Sequence, residues 1–212
     1  MPITDHLFTI KSTIPPSVQL LAVSKFQPLS ALEEAYAAGQ RLFGENRPQE
    51  MLEKYKSLPS DIQWHMIGHL QRNKIALIAP FVSLIESVDS ERLLAELSKE
   101  ATKIGRSLKV LLEVHIATEN TKQGFTPDQI YRIMADTPLL GIEIVGLMGM
   151  ASLTSHSTQI EREFRSLRAL YDLYPNFTTL SMGMSGDYSI AIECGATQVR
   201  IGSAIFGART IK

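Results

Sequence analysis

The chain has 212 residues, 44% of them hydrophobic, which suffices for a sizeable core in one large domain. Its 21 Lys and Arg stand against 22 Asp and Glu, a formal charge of -1 with no sustained basic run, so nucleic acid is excluded as a partner for want of an electrostatic footprint. The single cysteine, Cys194, excludes an internal disulfide framework, and Met1 to Ile14, with Asp5, His6 and Lys11, is neither a signal peptide nor a membrane span, so a cytoplasmic protein without membrane attachment is expected.

The first strand is predicted at Leu20-Leu21-Ala22-Val23, an apolar run that suits a strand buried on both faces, with Lys25 as the residue that ends it. Ala31 to Ala38, stopped by Gly39, reads as a helix. Arg41-Leu42-Phe43 gives a second strand that breaks at Gly44-Glu45-Asn46, and Pro48 to Lys56 is helical in composition. A third strand spans Asp61 to Ile67 and turns into a helix from Gly68 through Leu77. The fourth, Phe81 to Ile85, leads to a helix from Ser90 to Ile104 with Ser90 as cap, Leu93, Leu94 and Leu97 as its apolar stripe, and Gly105 as its stop. Val110 to Val114 is the fifth strand, followed by a polar loop over residues 117–124 and a helix from Pro127 to Met134. Ile142 to Met148 is the sixth, ahead of an amphipathic helix from about His156 to Tyr174. Thr178 to Ser181 and Gln198 to Ile201 complete the set, separated by a short helix that ends near Gly195.

Eight strands alternating with helices, without a linker or a tandem repeat, read as one parallel (β/α)8 barrel over residues 1–212; an open doubly wound sheet is the alternative. In a barrel the strand ends converge on one face, so residues distant in sequence meet there. A partly desolvated amine at the end of a buried strand favours the uncharged form of Lys25, which Schiff-base chemistry requires. The loops after strands seven and eight, Ser181-Met182-Gly183-Met184-Ser185 and Arg200-Ile201-Gly202-Ser203, suit a phosphate: glycines let backbone N–H groups approach and serines add donors. A lysine and a phosphate nest are the two handles of pyridoxal 5'-phosphate, and equally those of a sugar phosphate in a lysine-dependent aldolase. Arg200 at the end of strand eight suits the pyridine nitrogen, where a fixed cation weakens the ring as an electron sink; an ion pair with Glu193 or another carboxylate is the alternative. Met184, with Met148, Met150 and Met182, suits a pliable apolar wall. His65 and His69 stand four apart without the intervening glutamate or a third ligand of a zinc site, so no metal is expected.

Ala22-Val23-Ser24-Lys25, Gly44-Glu45-Asn46 with Gln49-Glu50, Trp64-His65-Met66-Ile67-Gly68 with Leu70-Gln71-Arg72-Asn73-Lys74, Gly146-Leu147-Met148, Leu180 to Ser185 and Val199 to Arg209 together resemble the YggS family, the pyridoxal phosphate homeostasis proteins also called PROSC or PLPBP. The resemblance runs from about Leu20 to Arg209. It implies a fold-type III barrel similar to the barrel domain of alanine racemase, without the C-terminal β domain. It also implies a Schiff base on Lys25, phosphate contacts from Ser185, Gly202 and Ser203, a ring-nitrogen contact from Arg200, and lining by Asn46 and Ser181. The implied role is to hold, buffer or deliver the cofactor, with pyridoxal-phosphate-dependent apoenzymes as candidate recipients and a monomer as the expected state. A racemase-like enzyme of weak or narrow activity is the alternative, although no second base is placed by any motif. The chain departs from the family pattern at Phe26-Gln27, Arg47-Pro48 and Gly149-Met150-Ala151, around the rim of the expected pocket.

Overall fold

A computed structural model describes residues 2–119, 123–136 and 139–207; part of the polar loop expected at 117–124 and the last two residues of the family resemblance lie outside them. Eight parallel strands close into a barrel in sequence order: β1 (Gln19–Val23), β2 (Leu42–Glu45), β3 (Gln63–Met66), β4 (Leu84–Val88), β5 (Leu108–Val114), β6 (Ile142–Gly149), β7 (Thr179–Ser181) and β8 (Gln198–Ile201). Closure is direct, since β1 pairs with both β2 and β8, Ala22 standing opposite Phe43 on one side and Ile201 on the other. The barrel is therefore the architecture, and the open sheet is not.

Helices α1 (Ile3–Thr13), α2 (Leu29–Ala37), α3 (Pro48–Ser57), α4 (Ile75–Ile78), α5 (Glu91–Ile104), α6 (Pro127–Ala135), α7 (Ser157–Tyr171), α8 (Tyr188–Glu193) and α9 (Ser203–Phe206) surround it. The main core lies between strands and helices, where Phe43, Trp64, Phe164 and Leu97 are fully buried. A smaller apolar cluster of Leu84, Leu111, Val145 and Met148 fills part of the barrel interior. α5 has the ends its sequence specifies: Ser90 Oγ accepts from the Leu93 N–H, and Gly105 adopts φ +65°. Among the described residues no helix is long and apolar enough to cross a membrane.

Three elements differ from their expected places. β4 lies three residues later, because Phe81 and Val82 donate to the Ile78 carbonyl in the turn after α4, and the strand continues through the buried polar pair Glu86-Ser87. Gly44 and Glu45 belong to β2 rather than breaking it, with Glu45 opposite Met66. The segment after β3 is a 3-10 turn at Arg72–Lys74 and one short helix, not a single helix from Gly68.

Candidate functional site

The C-terminal ends of the strands form a cavity of about 290 Å³. Seven of the eight residues expected to meet the cofactor line it, Lys25, Asn46, Met184, Ser185, Arg200, Gly202 and Ser203, together with Met150 and with Gln27 of the expected rim. A separate hollow of about 400 Å³ on His69, Arg72, Asp89 and Arg92 contains neither Lys25 nor the glycine loops.

Lys25 stands two residues beyond the end of β1 rather than at its last position. The sheet ladder ends where the Ser24 N–H donates to the Gly44 carbonyl; the chain then turns, with Gln27 N–H donating back to the Ser24 carbonyl and Phe26 at φ +63°. The lysine is half-buried at this turn and faces the cavity. Across β2 and β3, Asn46 is fixed by a close approach to Gly68, whose missing Cβ would stand 2.5 Å from the Asn46 carbonyl oxygen. The Asn46 side-chain Oδ1 is buried and has no hydrogen-bond partner among the described residues.

The two glycine loops meet at the other side of the cavity. Gly183 adopts φ +91° with no room for a Cβ, which would lie 2.6 Å from Ala191 Cβ, and its carbonyl accepts from the Arg200 N–H at 2.9 Å. The Gly202 N–H donates to Ser185 Oγ at 3.4 Å, joining the loops. Among the described residues, the backbone N–H groups of Ser185, Gly186, Ser203 and Ala204 have no acceptor. Four free donors on two converging loops form an anion-binding concavity.

Arg200 closes the inner wall. Its Nη1 donates to Ser181 O at 2.9 Å and to Ser181 Oγ at 2.7 Å, its Nη2 donates to Gly149 O at 2.9 Å, and its Nε has no partner among the described residues. Among the described residues it makes no direct ion pair with Glu193 or another carboxylate, its contacts going to Ser181 and Gly149. Burial pulls its pKa down, and the carboxylates of Glu86, Glu113 and Asp187 pull it back up. Ser181 is fully buried and does not line the cavity; it lies beneath Arg200 and donates to Glu86 Oε2 at 2.6 Å. Glu86 also accepts from His65 Nδ1 at 2.6 Å and Gln198 Nε2 at 2.7 Å. Burial pushes the Glu86 carboxyl up, but the hydrogen bond and charge of His65 and the charge of Arg200 outweigh it and hold the group below the ordinary carboxylate value.

His65, discounted as a metal ligand, thus serves Glu86, and among the described residues no group of three His, Cys, Asp or Glu side chains is placed to hold a metal. Sequence reasoning missed Glu86, Glu113, Gln198 and Lys54. Glu86 and Glu113 interrupt apolar runs, Leu84-Ile85-Glu86-Ser87-Val88 and Leu111-Leu112-Glu113-Val114, and a charge inside a barrel strand is the signal that it points into the barrel.

The alanine racemase N-terminal domain model matches residues 3–210. A pyridoxal phosphate homeostasis protein of Vibrio alginolyticus is 39% identical over 206 residues, covering 92% of this chain and 88% of that one. The solved structure of PipY from Synechococcus elongatus with PLP bound superposes with a TM-score of 0.86 at 38% identity, over 97% of this chain and 100% of that one. An alanine racemase of Clostridium difficile shares the fold, with a TM-score of 0.81 at 12% identity over all of this chain and 58% of the racemase. With a family model across nearly its whole length and relatives at this identity, the chain belongs to the alanine racemase N-terminal domain family and, within it, to the pyridoxal phosphate homeostasis proteins.

Proposed function

We propose that this protein binds pyridoxal 5'-phosphate reversibly through a Schiff base on Lys25 and serves to hold, buffer and deliver the cofactor in the cytosol. The observation that carries the reading is one cavity with an amine on one wall and an anion-binding concavity on the other. The residues present fit the group: four unengaged backbone donors suit a phosphate, the orphaned Oδ1 of Asn46 offers an acceptor to a polar ring substituent, and Arg200 lines the cavity with a guanidinium whose Nε has no partner among the described residues. Bound there, the cofactor supplies an aldehyde to the lysine and an electron sink to amino-acid chemistry.

The residues' own parts follow from their placement. Ser185, Gly202 and Ser203 anchor the phosphate through N–H and hydroxyl donors. Lys25, in its uncharged form, makes a C=N bond to the aldehyde carbon, and the carbonyl oxygen leaves as water with the two amine hydrogens. Arg200 places a fixed cation at the ring nitrogen and keeps a proton off it, which suits holding more than turnover. Ser181 supports Arg200 from below, and Met184 and Asn46 flank the ring. Residues 1–212 act as one barrel, working as a monomer that passes the cofactor to apoenzymes.

The test is to mix purified protein with pyridoxal 5'-phosphate, reduce with borohydride and map the adduct by mass spectrometry. The adduct is expected on the peptide containing Lys25 and is absent in Lys25→Ala; an adduct that persists unchanged in that variant overturns the assignment.

A further inference from the structure

The turn that carries Lys25 is held from one face of a single helix. Lys54 on α3 is buried, with 4% exposure, and its Nζ donates three hydrogen bonds: to the Ser24 carbonyl at 2.8 Å, Glu45 Oε1 at 2.7 Å and Glu50 Oε1 at 2.7 Å. An ammonium has three donors, so this amine is fully engaged. The same Glu50 oxygen accepts the Phe26 N–H at 2.6 Å, and the Arg47 guanidinium lies over the Phe26 ring, 4.8 Å from its centroid. Residues 47, 50 and 54 are spaced three and four apart, so the cap and one face of α3 grip the residues on both sides of Lys25. Glu45, at the end of β2, completes the unit by accepting from both Lys54 and the Ser24 hydroxyl, the latter at 2.6 Å.

The grip has something to hold. Phe26 is the only described non-glycine residue with positive φ, at +63°, a conformation an aromatic side chain seldom occupies. Returning it to an ordinary conformation would reorient the peptide that follows Lys25 relative to the rest of the turn. Two of the clamp residues, Glu45 and Glu50, fall in the Gly44-Glu45-Asn46 and Gln49-Glu50 segments, of which only Asn46 lines the cavity.

We propose that Lys54 is a positioning residue for Lys25: by pinning the Ser24 carbonyl and orienting Glu50 onto the Phe26 N–H, it keeps the turn in its left-handed form and sets how fast the lysine bonds to the cofactor's aldehyde. This rests on Lys25 as the anchor. Lys54 touches neither cofactor nor reacting atoms, so its contribution is to rate of covalent capture, not to recognition of ring or phosphate.

The experiment compares two ligands in Lys54→Met. Pyridoxal 5'-phosphate reports covalent capture, followed by absorbance and borohydride trapping; pyridoxine 5'-phosphate, with a hydroxymethyl group in place of the aldehyde, reports non-covalent affinity. Capture is expected to slow by about tenfold or more, in line with the cost of small misplacements of a reacting group, while pyridoxine 5'-phosphate affinity is retained. Phe26→Gly in the same background is expected to restore much of the rate, because glycine adopts positive φ without strain. Unchanged capture in Lys54→Met, or a parallel loss for both ligands, overturns the proposal. If Lys54→Met does not fold, Glu50→Gln, at the partly exposed end of the clamp, carries the same comparison. An adduct that persists in Lys25→Ala overturns both this inference and the reading beneath it; normal loss in Lys25→Ala with no effect at Lys54 overturns the inference alone.

Discussion

Ser181 stands between Arg200 and Glu86: its hydroxyl accepts from Arg200 Nη1 at 2.7 Å and donates to Glu86 Oε2 at 2.6 Å. A guanidinium at the floor of the cavity is thereby tied, through one hydroxyl, to a carboxylate with no exposure to solvent. Neither charge is stable at such depth without its partners.

Glu86→Ala is expected to destabilise the protein by about 3 kcal/mol or more, because it leaves Arg200 and any charge on His65 buried without their carboxylate. Urea unfolding of the variant measures it. The Glu86 carboxyl is held below its ordinary value in the fold, so its contribution is present above the unfolded value of about 4.5 and is lost as pH falls through the lower folded value. A loss under 1 kcal/mol at pH 7 would show that the network relaxes around the gap.

Glu113 has the opposite sign. It is buried, makes no side-chain hydrogen bond among the described residues, and is pushed up to about 7 by burial and by the charge of Asp89, against the pull of Arg200 and His69. Its stabilising contribution is fully present below its unfolded value and is lost as pH rises through about 7. Glu113→Gln is therefore expected to gain up to about 3 kcal/mol over the parent at pH 8 and almost nothing at pH 4.5. Glu45, raised to about 6 chiefly by burial, adds a smaller trend of the same sign. Unfolding curves for both proteins at pH 4.5, 7 and 8 provide the check; a gain independent of pH would mean that Glu113 titrates normally.

Gly183→Ala is expected to cost on the order of 1–3 kcal/mol and to displace the loop that carries Ser185, since φ +91° and the contact with Ala191 both oppose a Cβ. Ser203→Asp tests the same concavity by charge alone. Calorimetric titration with pyridoxine 5'-phosphate should show weakening in both variants, and undiminished affinity in Ser203→Asp would remove the phosphate from this loop.

On the proposed placement of Arg200 at the ring nitrogen, exchange of the alpha hydrogen of alanine is expected to be slow. Proton NMR in deuterated solvent, with cofactor-loaded protein, follows it directly. Complete exchange within minutes would move the reading from cofactor holding to racemase chemistry.

Much of the architecture was legible in the order of the residues. Strand and helix spacing indicated the barrel, because each crossover needs a helix and each strand an apolar run. Gln198–Ile201 lies where it was expected, and α5 begins after Ser90 and ends before Gly105 because both signals are local. β4 differs from its expected place because the polar Glu86 and Ser87 continue the strand beyond its apolar run. They lie inside it: Glu86 takes its partners His65 and Ser181 from β3 and β7, and the Ser87 hydroxyl donates to the Gly68 carbonyl.

The chemical inventory is written in the order of residues: a lysine after an apolar run, two serine-glycine loops and an arginine near the C-terminal end of the chain. Local rules suffice for these, since loop composition and strand periodicity act over a few residues. The setting of the lysine depends instead on contacts made across the fold. Lys25 stands beyond its strand on a left-handed turn gripped by Arg47, Glu50 and Lys54, and Arg200 is seated on Ser181 over Glu86. These contacts join residues 19 to 95 positions apart, and closing the barrel is what brings them within reach.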